Sequence, residues 1–276
     1  MKDTAPDQLP EGAAAVLTPQ AAELVLHRRG STVWKVTTER GVFAVKAGRP
    51  AAAYSWTGLA PGREAAVLRQ LSRADIHDGK WAGGTWNAQP WHPGTSLYDL
   101  WAHHRTGERP PRPSFAEARA CAAALAELHE QGWVHGDVQP AHLLLDGRGA
   151  ALVDLALAAG GQVPPEVDFA YGGCLVHYEA PEIAGDVLEQ GTATPTRASD
   201  VYALGASLMV SATGWRHVAY PDDASREEQR RAIVRTRHRP VTVAGPMGKL
   251  IEAMLRRAPA DRPTSAEVRE TLYRQG

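Results

Sequence analysis

Net charge, cysteine and long apolar runs are all scarce in this chain. Thirty Lys and Arg face thirty-one Asp and Glu, a formal charge of −1 over 276 residues, so no global field draws the protein to nucleic acid or to an anionic membrane. The two cysteines, Cys121 and Cys174, are too few for a disulfide framework and form no C-x-x-C pair, which excludes a stapled secreted scaffold and a metal or redox motif of that kind. Every apolar stretch is broken by charge before about eighteen residues, and Met1 to Pro10 has no signal-peptide core. A protein of a reducing cytoplasm, neither exported nor membrane-spanning, is expected. No repeat of fixed period occurs, and low-complexity text is confined to Ala-rich runs near Ala13 and Ala51.

The length suits two lobes better than one sphere. Leu24-Val25-Leu26, Thr32 to Val36 and Val42 to Lys46 read as short β-runs, separated by turn chemistry at Arg29-Gly30 and Glu39-Arg40-Gly41. After a break at Pro61-Gly62, Arg63 to Leu71 carries apolar residues at helical spacing. From Ile76 to Leu97 the text is dense in Trp, Gly and Pro, and Gln89 to Gly94 reads as an extended connector, which places one lobe in residues 1–92 and the other in 93–276. Beyond it the text is mainly helical. Ser114 with Glu117, Ser225 with Glu228 and Thr264 with Glu267 have the spacing of capping boxes, and Gly132 suits a helix C-terminus.

A phosphoryl-transfer site has to neutralise polyphosphate charge, hold a divalent metal and orient a hydroxyl, tasks that need a lysine and several carboxylates from different elements. Residues Trp133 to Asp146 read as a helix end, a loop bearing Asp137 and an apolar strand; after a turn at Gly147-Arg148-Gly149, Leu152-Val153-Asp154 presents a second carboxylate. The plain alternative is two unrelated solvated aspartates. In this order the residues resemble the protein-kinase superfamily, and His135-Gly136-Asp137 is similar to the catalytic loop of aminoglycoside-phosphotransferase-type enzymes.

The resemblance implies an α+β, bilobed fold: a small N-terminal lobe with an antiparallel sheet and one helix, then a larger, mostly helical lobe, with ATP bound between them. It implies that Asp137 accepts the substrate proton, that Asp154 binds metal, and that Lys46, paired with Glu64, holds the phosphates. Gln89 and Trp91 of the connector would line the nucleotide site. Tyr178 to Glu182 resembles the end of an activation segment, Asp200 to Gly205 the helix that braces the catalytic loop, and Arg262-Pro263 the late arginine that pairs with Glu182. ATP with Mg²⁺, or Mn²⁺ in its place, is the implied cofactor set.

Several positions depart from the family. Between the first two strands the only glycine is Gly30; Ser31 and Thr32 either donate hydroxyls to phosphate or simply form a hairpin turn. His142 stands where a metal-binding Asn is usual, and imidazole suits softer divalent ions better than Mg²⁺. It is either a hydrogen-bonding, Mn²⁺-tolerant site residue or a position filled in a catalytically silent relative. Gln139 replaces a lysine aimed at the transferred phosphate, which predicts slow turnover. Gly136 and Leu175 replace the Arg and Thr of phosphorylation-switched loops, so that switch is not expected.

Other signals have plainer readings. Arg230, Arg231, Arg235, Arg237 and Arg239 lack interleaved aromatics and read as a solvated face rather than a docking patch. His103 and His104 are expected to point apart, without a zinc ligand set. The tryptophans between Trp81 and Trp101 either line a cleft or pack a small lobe. Three functions follow: transfer to a Ser or Thr hydroxyl of a peptide or protein, with a bacterial natural-product precursor peptide as one such acceptor; small-molecule phosphorylation of the aminoglycoside type; and a silent pseudokinase module. No nucleic-acid or membrane partner is expected.

Overall fold

The computed structural model describes residues 8–51, 55–106, 111–235 and 238–275. Arg237, the first seven residues and the Ala52-Ala53 part of the run at Ala51 lie outside them. Contacts divide the chain into two compact units: residues up to His92 with Gly161–Phe169, and Pro93–Gly160 with the chain from Ala170 onward.

The first unit opens with α1 (Glu11–Leu17), a helix in what reads as low-complexity text. Three strands follow: β1 (Ala21–Arg28), β2 (Ser31–Thr38) and β3 (Gly41–Gly48). Arg29 and Gly30 both have positive φ, 53° and 81°, between the paired Arg28 and Ser31, as a primed two-residue hairpin requires. A Cβ on Gly30 would lie 2.6 Å from the Arg49 carbonyl oxygen, so glycine is demanded there by the turn itself. Helix α2 (Ala60–Gln70) follows, with Pro61 inside its first turn. The Pro61-Gly62 break is therefore a helix start, where a missing N–H costs nothing.

Two strands missed by the sequence reading, β4 (His77–Trp81) and β5 (Gly84–Pro90), complete an antiparallel sheet of order β1-β2-β3-β5-β4. Gly84 to Gln89 are all buried, so no alternation of period two marked β5. On one face Trp34, Val36, Phe43, Val45 and Trp86 bury against Ala13 and Leu17 of α1, each large side chain contributing about 1.5–3 kcal/mol.

The second unit carries β6 (Thr95–Ser96), the short helices α3 (Leu97–Leu100) and α4 (Ala102–Arg105), α5 (Phe115–Glu130), β7 (Leu143–Leu145), β8 (Ala150–Leu152), α6 (Pro181–Gln190), α7 (Arg197–Thr213), α8 (Arg226–Arg235), α9 (Gly245–Met254) and α10 (Ser265–Gln275). Helix α7 is almost wholly buried and anchors the core with Leu97, Trp101, Leu125, Leu143 and Ile251. An antiparallel sheet followed by a mainly helical portion is the α+β architecture expected.

Three readings need correction. The Ser114 hydroxyl accepts the Glu117 N–H, but the Glu117 carboxylate takes the Trp101 indole N–H at 2.6 Å instead of closing a capping box. His103 and His104 do not point apart: their ring centroids are 3.9 Å apart. Arg230 is not on a solvated face, since it is buried and paired with Glu179.

Candidate active site

In the first unit, Lys46 faces inward from the middle of β3 and Glu64 lies one turn into α2; their Nζ–Oε1 distance is 2.7 Å. Glu64 is 1 % exposed, and its other oxygen accepts the Asn87 amide at 3.1 Å. Asn87 also donates to the Pro61 carbonyl, and Gln89 donates to Asn87 Oδ1. Gln89 thus belongs to the network behind Lys46, whereas Trp91 lies under the Lys35 ammonium. Asn87 was not found by sequence reasoning because its strand was not.

Segment Gly161–Phe169 packs on α2: Arg63 Nε donates to Asp168 Oδ1 at 3.1 Å and its guanidinium lies over Phe169. Thr32 is 2 % exposed with its hydroxyl on His27 Nδ1, so it serves the hairpin and is not turned to a phosphate. Ser31 occupies the opposite face of β2.

In the second unit, the loop His135 to His142 hangs on Asp200 of α7. That buried carboxylate accepts the His135 N–H at 2.6 Å, the Gly136 N–H at 2.9 Å and contacts His129 Nε2 at 3.0 Å. Such charge-assisted bonds to backbone N–H are the strong kind. Gly136 has φ +77°, and a Cβ there would lie 2.7 Å from the Leu157 carbonyl oxygen, so the arginine of the family pattern has no room. His135 Nε2 reaches the Val153 carbonyl at 3.0 Å and its Nδ1 accepts the Asp137 N–H. The ring is therefore neutral, and burial lowers its pKa to about 4.

The Asp137 carboxylate accepts the Leu175 N–H at 3.3 Å and the Gln139 amide at 3.0 Å. Burial pushes this carboxyl up to about 6; the Asp154 charge adds to the rise, while His142, Leu175 and Gln139 oppose it. His142 stands between the two acids, with Nδ1 2.9 Å from the Asp137 carbonyl and Nε2 3.3 Å from Asp154 Oδ2. Asp154 has φ 66° and ψ 67°, a conformation that costs a non-glycine residue energy and is concentrated at functional sites. Tyr171 donates to the Gly136 carbonyl at 2.7 Å, and Arg230 bridges Glu179 and the Gly172 carbonyl. Both ties fasten the segment after Asp154, and neither was read from the sequence. Arg262 holds Glu182 with two bonds of 2.6 and 2.8 Å.

Residues 94–274 match the family model of the protein kinase domain, and the chain belongs to that family. Among similar proteins are the serine/threonine-protein kinase PknK of Mycobacterium tuberculosis, 34% identical over 193 residues, 66% of this chain and 16% of that protein. Another is the serine/threonine-protein kinase AfsK of Streptomyces coelicolor, 30% identical over 132 residues, 47% of this chain and 15% of that protein. The E3 ubiquitin-protein ligase KEG of Arabidopsis thaliana is 31% identical over 181 residues, 55% of this chain and 11% of that protein. The chain thus spans 11% to 16% of the length of these relatives. Among the described residues no helix is long and apolar enough to cross a membrane.

Proposed function

We propose that the chain transfers the γ-phosphoryl group of ATP to a Ser or Thr hydroxyl of a peptide or protein, a natural-product precursor peptide being one candidate acceptor. The observation that carries this reading is the Asp137 carboxylate, oriented by the Leu175 N–H and the Gln139 amide beside a second acid in strained backbone. The acceptor oxygen bonds to the γ-phosphorus as the bond to the β–γ bridging oxygen breaks; ADP keeps that electron pair, and the hydroxyl proton passes to Asp137. Lys46, held straight by Glu64, carries positive charge to the triphosphate, and Ser31, Gly30, Gln89 and Trp91 complete the nucleotide contacts. Asp154 and His142 fit a divalent ion in their donor chemistry, and a bound Mg²⁺ or Mn²⁺ would supply neutralisation of phosphate charge. Gln139 steadies Asp137 but brings no charge, so turnover is slow.

A protein acceptor is favoured by the Glu182–Arg262 clamp below the activation segment and by the relatives named serine/threonine-protein kinases. Free, buried cysteines accord with a cytoplasmic bacterial setting. The test is incubation with labelled ATP, Mg²⁺ or Mn²⁺, and panels of Ser/Thr peptides and small alcohols, with Asp137→Asn as control. Label on peptides supports the proposal, label on small alcohols replaces it with the aminoglycoside-type reading, and ATP binding without transfer replaces it with a pseudokinase.

A further inference from the structure

We propose that Arg230 is a positioning residue for the transfer: through Glu179 it holds residues 172–175 so that the Leu175 N–H stays on the Asp137 carboxylate. An ion pair encoded in the chain thereby stands where other loops need an added phosphate. The inference rests on the reading above that Asp137 takes the acceptor's proton. Arg230 comes from α8, and every group in its chain of contacts belongs to the second unit. Its guanidinium meets Glu179 as a planar fork, Nε to Oε1 at 2.7 Å and Nη2 to Oε2 at 2.9 Å, the bidentate geometry that fixes orientation as well as charge. Nη2 also donates to the Gly172 carbonyl at 2.9 Å. Glu179 Oε2 in turn accepts the Cys174 N–H at 3.1 Å. One ion pair thus grips the backbone on both sides of Gly173, and the next N–H along, that of Leu175, reaches Asp137 Oδ1 at 3.3 Å.

Two observations separate this pair from ordinary packing. Gly173 has φ +84°, and a Cβ there would collide with both Glu179 Oε2 and Arg230 Nη2, so the backbone is drawn against the ion pair as closely as glycine alone permits. Both partners are buried, Glu179 with its side chain 0 % exposed. Burial of such a pair is weak as a source of stability, because desolvation offsets the Coulomb gain; its presence here accords with a geometric duty. That duty is open in this chain. Phosphorylation-switched kinase loops are ordered by arginine on a phosphorylated side chain, and here those two positions carry Gly136 and Leu175, which supply neither group. Tyr171, one residue before Gly172, donates to the Gly136 carbonyl at 2.7 Å, so the stretch that Arg230 holds is also tied to the loop bearing Asp137.

The test replaces the pair by apolar residues of similar size, Arg230→Met together with Glu179→Leu, because such swaps are often neutral or stabilising while here they remove both backbone grips. Rates are read with ATP, Mn²⁺ and a Ser or Thr peptide, and nucleotide affinity with a non-hydrolysable ATP analogue. The double variant is expected to melt no lower than the wild type and to bind the analogue equally well. Its kcat should fall by roughly 10- to 100-fold, with faster hydrogen exchange at the Cys174 and Leu175 amides. Arg230→Lys keeps the charge without the fork and should lie between the two. Wild-type chain treated with a phosphatase, its mass confirming that no phosphate remains, should keep its full kcat. Wild-type kcat in the double variant, or in Arg230→Lys where the double variant does not fold, overturns the proposal. A fall in analogue binding that matches the fall in kcat, or loss of wild-type turnover to the phosphatase, overturns it too. In each of these cases a slow Asp137→Asn leaves the phosphotransferase reading intact, whereas a wild-type chain that labels no peptide, or Asp137→Asn at the wild-type rate, overturns both.

Discussion

Gly136 and Asp137 show how closely backbone and chemistry are joined in the loop. With φ +77° and the Leu157 carbonyl 2.7 Å from a would-be Cβ, Gly136→Ala has to break the loop's fit; it is expected to cost roughly 1–3 kcal/mol in urea denaturation, with turnover falling as Asp137 shifts. Asp137→Asn keeps the side chain's shape, the Gln139 amide turning its oxygen toward the new NH₂, but removes the proton acceptor, so the rate of transfer should fall by roughly 10²–10⁴-fold while the melting temperature stays within a degree or two. An unchanged rate would remove Asp137 from the chemistry. Both residues stand out in the sequence because the His-Gly-Asp string resembles a family pattern. The reason glycine is required is not legible there, since Leu157 is far along the chain.

Elements carry the next set of constraints. Helix α2 presents Glu64 to Lys46 on one side and Arg63 to Asp168 on the other, 3.1 Å away. Asp168→Ala is expected to loosen the helix and raise the KM for ATP several-fold, with little change in melting because Asp168 is half exposed; an unchanged KM would leave the contact without a role in nucleotide binding. The Arg262–Glu182 pair is different. The arginine side chain is 0 % exposed, and Arg262→Ala leaves a carboxylate and the Ala198, Arg256 and Arg257 backbone carbonyls without their donor. The loss should be about 3–5 kcal/mol, read as a lowered denaturation midpoint.

Legibility in the sequence divides by the range of the interaction. Strands β1 to β3 were readable from local β-runs and turn dipeptides, and the Lys46–Glu64 and Glu182–Arg262 pairs from resemblance to a family. Strand β5 was not, because burial on both faces erases alternation; β4, His-Asp-Gly-Lys-Trp, carries a single large apolar residue and so gives no apolar pattern to read. Helix α1 hid in an Ala-rich run with no cap signal. Asn87, Asp168 and Tyr171 escaped notice, and Arg230 was read as part of a solvated face, because each finds its partner through the fold, and a single sequence carries no local mark of such pairs.

For the whole molecule, acid stability is set by histidines kept neutral. His217, against the His238 ring and Tyr202, has its pKa lowered by burial from 6.5 to about 4, the neighbouring His238 adding to the effect. Between those values the unfolded chain binds more protons than the folded one, so this contribution is whole above about pH 6.5 and is lost as pH falls toward 4. His217→Phe, which also removes a buried Nδ1 that has no hydrogen-bond partner, should flatten the decline by on the order of 2–3 kcal/mol. A pH–stability curve identical to that of the wild type would contradict this.

The central claim is that the Asp137 carboxylate takes the proton of a peptide hydroxyl, and single-turnover transfer from ATP with Mn²⁺ to a Ser or Thr peptide tests it most directly. The wild-type chain should label the peptide, and Asp137→Asn should lower the rate by roughly 10²–10⁴-fold with nucleotide binding unchanged. No label from the wild-type chain, or equal rates in the two, would contradict it.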